Sequence, residues 1–137
     1  RTEPEVLMQS MNALREAMQA GLIASCHDLS EGGLGVAVCE MLLGGDIGAS
    51  IDLAGVNPEL RSDYKLLSES NTRWVVEVWR DERRRFEDLI KNKHERVRIT
   101  KIGETIGEKK VGICDKNKEL VNLSLDDVRE AWSGKLR

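Results

Sequence analysis

The sequence predicts an α/β (α+β) domain, a mixed β-sheet flanked by helices. Three observations lead there. Helix-period and strand-period apolar patterns interleave in the order α-β-α-β-α-β-α-β-β-β-α, which layers helices on a sheet. No self-similarity recurs at about 20–50 residues, so this is not a repeat protein. No interior linker or low-complexity tract divides the 137 residues, so residues 1–137 are expected to form a single domain around one modest core.

The first helix is predicted over residues 3–20, where Val6, Leu7, Met11, Leu14 and Met18 share one face. Thr2 and Glu5 fit a capping box, Pro4 sits in the first turn, and Gly21 stops the helix. A strand over residues 22–26 leads to a second helix over residues 30–43, ended by Gly44 and Gly45. Ala49, Ile51 and Leu53 alternate as in a half-buried strand. Asn57 and Pro58 are expected to open a short helical turn through Lys65, with Asn57 as its cap. The third strand covers residues 73–79, and Asp81 caps a charged helix to Lys91 that buries Phe86, Leu89 and Ile90. A fourth strand is predicted at residues 97–102. A hairpin follows, residues 110–114 and 119–123, turning at Lys116, Asn117 and Lys118. The last helix starts at Ser124, with Asp127 three residues on, and carries Val128, Ala131 and Trp132.

Composition narrows the function classes. A net charge of −3 and 4% aromatic residues offer neither the basic surface nor the stacking groups of a nucleic-acid binder. The basic run at residues 80–85 is interrupted by Asp81 and Glu82 and is expected to be a solvated helix face. No apolar run approaches the roughly 20 residues of a membrane span, and no signal-peptide pattern appears. Cys26, Cys39 and Cys114 lack Cys-x-x-Cys spacing, so no zinc site is expected and a reducing cytoplasm is the natural compartment. His94, in the charged stretch 91–96, is expected to be solvated.

The most informative stretch is Ile23-Ala24-Ser25-Cys26-His27-Asp28-Leu29-Ser30-Glu31-Gly32-Gly33-Leu34-Gly35. It describes a strand, a polar turn and a helix start. His27 and Asp28 fall at the strand's end, Ser30 at the helix N-cap, and Gly32 and Gly33 in the first turn. Open N–H groups and a positive dipole end make such a start a receptor for phosphate or carboxylate. Two glycines there cost roughly 1 kcal/mol each relative to Ala and so call for a reason. The reason is either a ligand against bare backbone or close packing of helix on strand. His27 could donate to a phosphate or tie the turn together, and Asp28 could approach Mg²⁺ or accept turn N–H bonds. Ser30, as cap, could also touch a bound anion. The expected phosphate- or nucleotide-binding set is His27, Asp28, Ser30, Gly32, Gly33 and Leu34. No catalytic residue and no protein metal ligand is expected, because the chain holds no Walker-type loop, His-Glu-x-x-His or Gly-x-Ser-x-Gly.

The pattern His-Asp-x-Ser-x-Gly-Gly-Leu-x-Val-Ala-x-x-Glu-Met, running from His27 to Met41, resembles the C-terminal half of the phosphoribosylformylglycinamidine synthase large-subunit family. More broadly it is similar to the aminoimidazole ribonucleotide synthetase superfamily. A second segment, Leu67-Ser68-Glu69-Ser70-Asn71-Thr72-Arg73-Trp74, is similar to that family's Ser-Glu-Ser-x-x-Arg turn entering a strand. The resemblance implies a C-terminal domain with partial ferredoxin-like topology. It also implies ATP- and Mg²⁺-dependent conversion of formylglycinamide ribonucleotide to the amidine, with ammonia derived from glutamine. Glu69, Ser70, Asn71 and Arg73 become counterparts of a substrate loop, although Asn71 stands where the paired domain usually carries Gln.

The implied partners are upstream domains of the same chain, a glutaminase subunit and a small bridging subunit. A start at a helix cap fits a C-terminal fragment of a larger multidomain enzyme, inactive by itself. Such a fragment is expected to expose an apolar face and to self-associate, as a dimer. Alternatives are a selenophosphate synthetase, thiamine-monophosphate kinase or hydrogenase-maturation relative, against which the Ser68–Arg73 segment speaks, or a noncatalytic structural module.

Overall fold

The computed structural model describes residues 3–134. The chain separates into two compact units, each built from two stretches: the chain up to Ser30 with Glu69–Ile99, and Glu31–Ser68 with the chain from Thr100 onward. The elements follow the order expected from sequence, with one short 3-10 turn added.

Unit 1 holds α1 (Pro4–Gln19), β1 (Ile23–Asp28), β3 (Trp74–Val78), the 3-10 turn Arg80–Glu82 and α4 (Arg83–Lys93). β1 and β3 form an antiparallel ribbon that pairs His27 with Val75 and Asp28 with Trp74. Its core joins Ala13, Ala17, Leu22, Phe86 and Ile90, with Val76, Val78 and Leu89 packed against them. α1 buries a different face from the one expected. Ser10, Ala13 and Ala17 point inward, while Met11 and Met18 are 52% and 49% exposed. Small residues let α1 approach α4 closely, and the long side chains on the neighbouring face are left to solvent. At its start, Pro4 occupies the first turn and the N-cap is Glu3, without a side-chain cap bond. Thr2, of the expected capping box, lies outside the described residues. α4 begins after the 3-10 turn with Glu82 as N-cap, so Asp81 does not cap it.

Unit 2 holds α2 (Gly33–Gly45), β2 (Gly48–Asp52), α3 (Ser62–Leu67), β4 (Gly103–Ile106), β5 (Lys110–Asp115), β6 (Lys118–Ser124) and α5 (Leu125–Ser133). The sheet order is β4-β2-β5-β6, mixed because β2 and β5 run parallel while the outer pairs are antiparallel. Ala49, Ile51, Leu53, Val111 and Ile113 bury one set of alternate positions, and α2 adds Leu34, Ala37, Val38 and Leu42. Lys116 and Asn117 take positive φ in a two-residue hairpin turn, the conformation that matches strand twist. Ser124 accepts from the Asp127 backbone N–H and Asp127 bonds back to Ser124, the capping box expected for the last helix.

Two local expectations fail here. α3 starts at Ser62 after Arg61, so Asn57 caps nothing. Residues 97–102 form no strand; the strand starts at Gly103, preceded by one bond from the Asp52 N–H to the Ile102 carbonyl at 2.7 Å. Trp132 lies on the last helix as expected, 68% exposed, with its Nε1–H donating to Glu40 Oε1 at 3.3 Å.

A buried ion pair stands inside unit 2. Lys65 is 0% and Asp115 3% exposed, with Nζ 2.9 Å from Oδ1. Lys65 Nζ also donates to the Leu53 carbonyl at 3.1 Å, and Ser62 Oγ donates to Asp115 Oδ2 at 2.8 Å. These bonds hold the Asp115 carboxyl below its ordinary value, the Lys65 bond contributing most. Among the described residues no helix is long and apolar enough to cross a membrane.

Candidate functional site

The two sequence segments singled out above meet at one end of the β1–β3 ribbon in unit 1. Antiparallel pairing sets Asp28, the last residue of β1, opposite Trp74, the first of β3. The Leu29 N–H then donates to the Arg73 carbonyl at 3.1 Å, which carries the pairing one residue further. His27, Asp28 and Arg73 thus gather at one pole of the ribbon, and the Glu69–Ser70–Asn71 turn runs directly into it.

Strand alternation sorts these residues by face. Val76 and Val78 pack toward the helical core, and Trp74 shares their parity. Arg73, Val75 and Glu77 take the other parity, together with their partners Ser25 and His27. Ser25 Oγ donates to Glu77 Oε2 at 2.9 Å on that polar face.

His27 Nδ1 lies 2.7 Å from the Asp28 carbonyl oxygen and 3.5 Å from its Oδ1. A carbonyl only accepts, so Nδ1 is the donor in this contact. Burial pulls the Arg73 guanidinium below its ordinary value, though a guanidinium keeps its charge. Glu69, Ser70 and Asn71 are exposed, whereas Arg73 is half-buried. Chemically the pole offers the Arg73 cation, the His27 imidazole, the polar groups of Ser70 and Asn71, and the exposed Asp28 and Glu69 carboxylates; Arg73 is the group able to pair with an anion. Burial, with the Asp28 carboxylate, pushes the Cys26 thiol up, so no thiolate nucleophile stands beside it.

The remaining members of the expected set fall at or beyond the passage into unit 2 and behave differently. Ser30 is the last residue of unit 1 and does not cap α2. The helix opens three residues later, with Gly32 as N-cap at φ 75° and no side-chain cap bond. Gly33 has φ 63°, and a Cβ there would lie 2.8 Å from the Leu67 carbonyl carbon and 2.9 Å from the Ser68 oxygen. Leu34 is buried in the core. The two glycines therefore have a conformational and packing reason of their own.

Sequence reasoning missed two features. His94 is 6% exposed, with its Nε2 3.6 Å from Glu16 Oε1, and so is not solvated. Thr72 adopts φ 68° inside the polar turn, a position for which nothing in the local sequence calls.

Known proteins resemble this chain in sequence and in fold. The family model described as AIR synthase related protein, C-terminal domain, matches residues 1–116. Phosphoribosylformylglycinamidine synthase subunit PurL of Moorella thermoacetica is 38% identical over 130 residues, covering 95% of this chain and 17% of that protein. The chain thus spans about one sixth of that relative's length. The structure of Thermotoga maritima PurL complexed with FGAR aligns at a TM-score of 0.80 and 21% identity, over 93% of this chain and 21% of that one. The same protein complexed with ATP aligns at 0.75 and 21% identity, over 88% and 21%. These structures share the fold, and the expectation of a mixed α+β domain of this superfamily holds.

Proposed function

Because the chain belongs to the family of AIR synthase related C-terminal domains, we propose that it serves as the C-terminal domain of a phosphoribosylformylglycinamidine synthase. The observation that carries this reading is the likeness to the Moorella PurL subunit along nearly the whole chain. In the proposed reaction the amide oxygen of formylglycinamide ribonucleotide takes the γ-phosphoryl group of ATP, releasing ADP. Ammonia derived from glutamine adds at the activated carbon, and phosphate leaves to give the amidine. Such chemistry needs positioning and charge stabilisation more than covalent help.

This chain's share is binding. Arg73 supplies a cation, His27 an imidazole held by the Asp28 carbonyl, and Glu69, Ser70 and Asn71 polar contacts at the same pole. Mg²⁺ belongs to the proposal for the whole enzyme only. Among the described residues no three His, Cys, Asp or Glu side chains cluster to hold a metal, so no step is assigned through one here. The proposed partners are upstream domains, a glutaminase subunit and a small bridging subunit, in the cytoplasm. The chain alone is proposed to be inactive and to self-associate through exposed apolar residues of α1.

A second reading, a noncatalytic structural module, draws on Gly32 and Gly33, whose positive φ values serve the fold without a ligand. Titrating ATP and formylglycinamide ribonucleotide separately against the amide resonances separates the two readings. Movement at Asp28, Leu29 and residues 69–73 is expected for at least one ligand. No movement at millimolar concentration would remove the binding role, and amidine formation by the chain alone would remove the claim of inactivity.

A further inference from the structure

Five non-glycine residues among those described have positive φ: Asp46, Asn57, Thr72, Lys116 and Asn117. Four have an ordinary reason. Asp46 is the left-handed C-cap of α2, Lys116 and Asn117 form the hairpin turn, and Asn tolerates this region through its short polar side chain. Thr72 is the exception. It is β-branched, and its φ of 68° is a conformation that such residues rarely adopt.

What holds Thr72 there is visible on both sides. On its C-terminal side, Arg73 is tied to Leu29 and Trp74 is paired with Asp28, which fixes the chain direction. On its N-terminal side, its own Oγ1–H donates to the Asn71 carbonyl at 2.5 Å. Strain of this kind persists only where surrounding structure over-determines it, and it concentrates at ligand clamps. Here it sits between Asn71 and Arg73, at the pole where the two sequence segments meet.

We propose that Thr72 is a positioning residue whose strained backbone and hydroxyl together lock the turn carrying Glu69, Ser70, Asn71 and Arg73. The lock means that a ligand meets an ordered set of contacts, with the ordering cost met during folding. Its ligand-facing purpose rests on the substrate-binding reading above, whereas the lock itself does not.

The test combines relaxation and binding on the intact chain. Backbone order parameters of residues 69–72 should match those of β3, about 0.85. Thr72→Gly relieves the strain and removes the hydroxyl. It should leave the urea midpoint unchanged or higher while those order parameters fall toward about 0.6. Thr72→Ser keeps the hydroxyl and should restore order, whereas Thr72→Ala should not. An equally rigid turn in Thr72→Gly, or Thr72→Ala indistinguishable from wild type, overturns the lock. A formylglycinamide ribonucleotide titration then addresses purpose: binding about tenfold weaker in Thr72→Gly supports positioning for substrate. Equal binding by both proteins overturns that purpose. No binding by wild type overturns the substrate reading, while the relaxation result still decides the lock.

Discussion

Alanine at two left-handed glycines separates strain from collision. Gly21 has φ 71°, and nothing lies within 4 Å of the place an alanine methyl would take, so Gly21→Ala carries the backbone penalty alone. That penalty is about 1–2 kcal/mol. Gly33 has φ 63° and carries the same penalty, but its Cβ would also lie 2.8 Å from backbone at Leu67. Backbone cannot swing aside as a side chain would, and overpacking of this kind adds about 1–3 kcal/mol. Gly33→Ala should therefore cost about 2–5 kcal/mol in all. Urea unfolding is the assay, followed through amide resonances of each unit, because Gly21 lies in unit 1 and Gly33 in unit 2. At a slope of about 2 kcal/mol per molar, the additional cost should separate the two midpoint shifts by about 0.5–1.5 M. Equal shifts would show that α2 can move away from the end of α3, and the packing account of Gly33 would fail. The result also fixes how Gly33 can be used: its substitution reports on folding and cannot serve as a clean probe of ligand binding.

Other outcomes follow from the same geometry. Lys65→Met should lower the urea midpoint of unit 2 sharply, because it strands the buried Asp115 carboxylate. Lys65→Met with Asp115→Leu should recover most of that loss, and a double variant no better than the single would refute the pair's self-contained character. The Asp115 carboxyl is held below its ordinary value of 3.8 when folded. Its contribution is therefore fully present above that value and lost as pH falls through the lower folded one, and Asp115→Asn should flatten the acid limb of a midpoint-against-pH curve. Met11→Lys with Met18→Lys should abolish concentration-dependent sedimentation of the chain, and a strictly monomeric wild type would remove α1 as an association face.

The order of elements was legible because apolar periodicity and turn chemistry are local. Ser124 with Asp127, and Lys116 with Asn117, announce their structures within a few residues. What depends on distant partners was not. Periodicity measures how apolar a face is, and α1 carries two candidate faces. Its small-residue face won because Phe86 and Ile90 of a helix some seventy residues on demand a close approach. Lys65 and Asp115 look like ordinary surface charges until the parallel β2–β5 pairing brings the Leu53 carbonyl beside them. At the candidate site, the strand end at His27 and Asp28 was readable, as was the polar turn before Arg73. Their meeting required the ribbon register, and the apparent Ser30 cap gave way because Gly32 reverses the chain through a left-handed turn.

The division of the chain bears on how it can be made. Each unit draws on two separated stretches, and the chain passes from one unit to the other after Ser30, after Ser68 and after Ile99. During synthesis, β1 therefore waits for β3, and unit 1 cannot close until α4 has been translated, well after the first strand of unit 2. Nor can either unit be expressed as a continuous piece by itself. The shortest segment containing all of unit 1 carries Glu31–Ser68 with it as an incomplete half of unit 2. Truncation is thus a poor way to dissect this protein, and point substitution within the whole chain is the tool its connectivity allows.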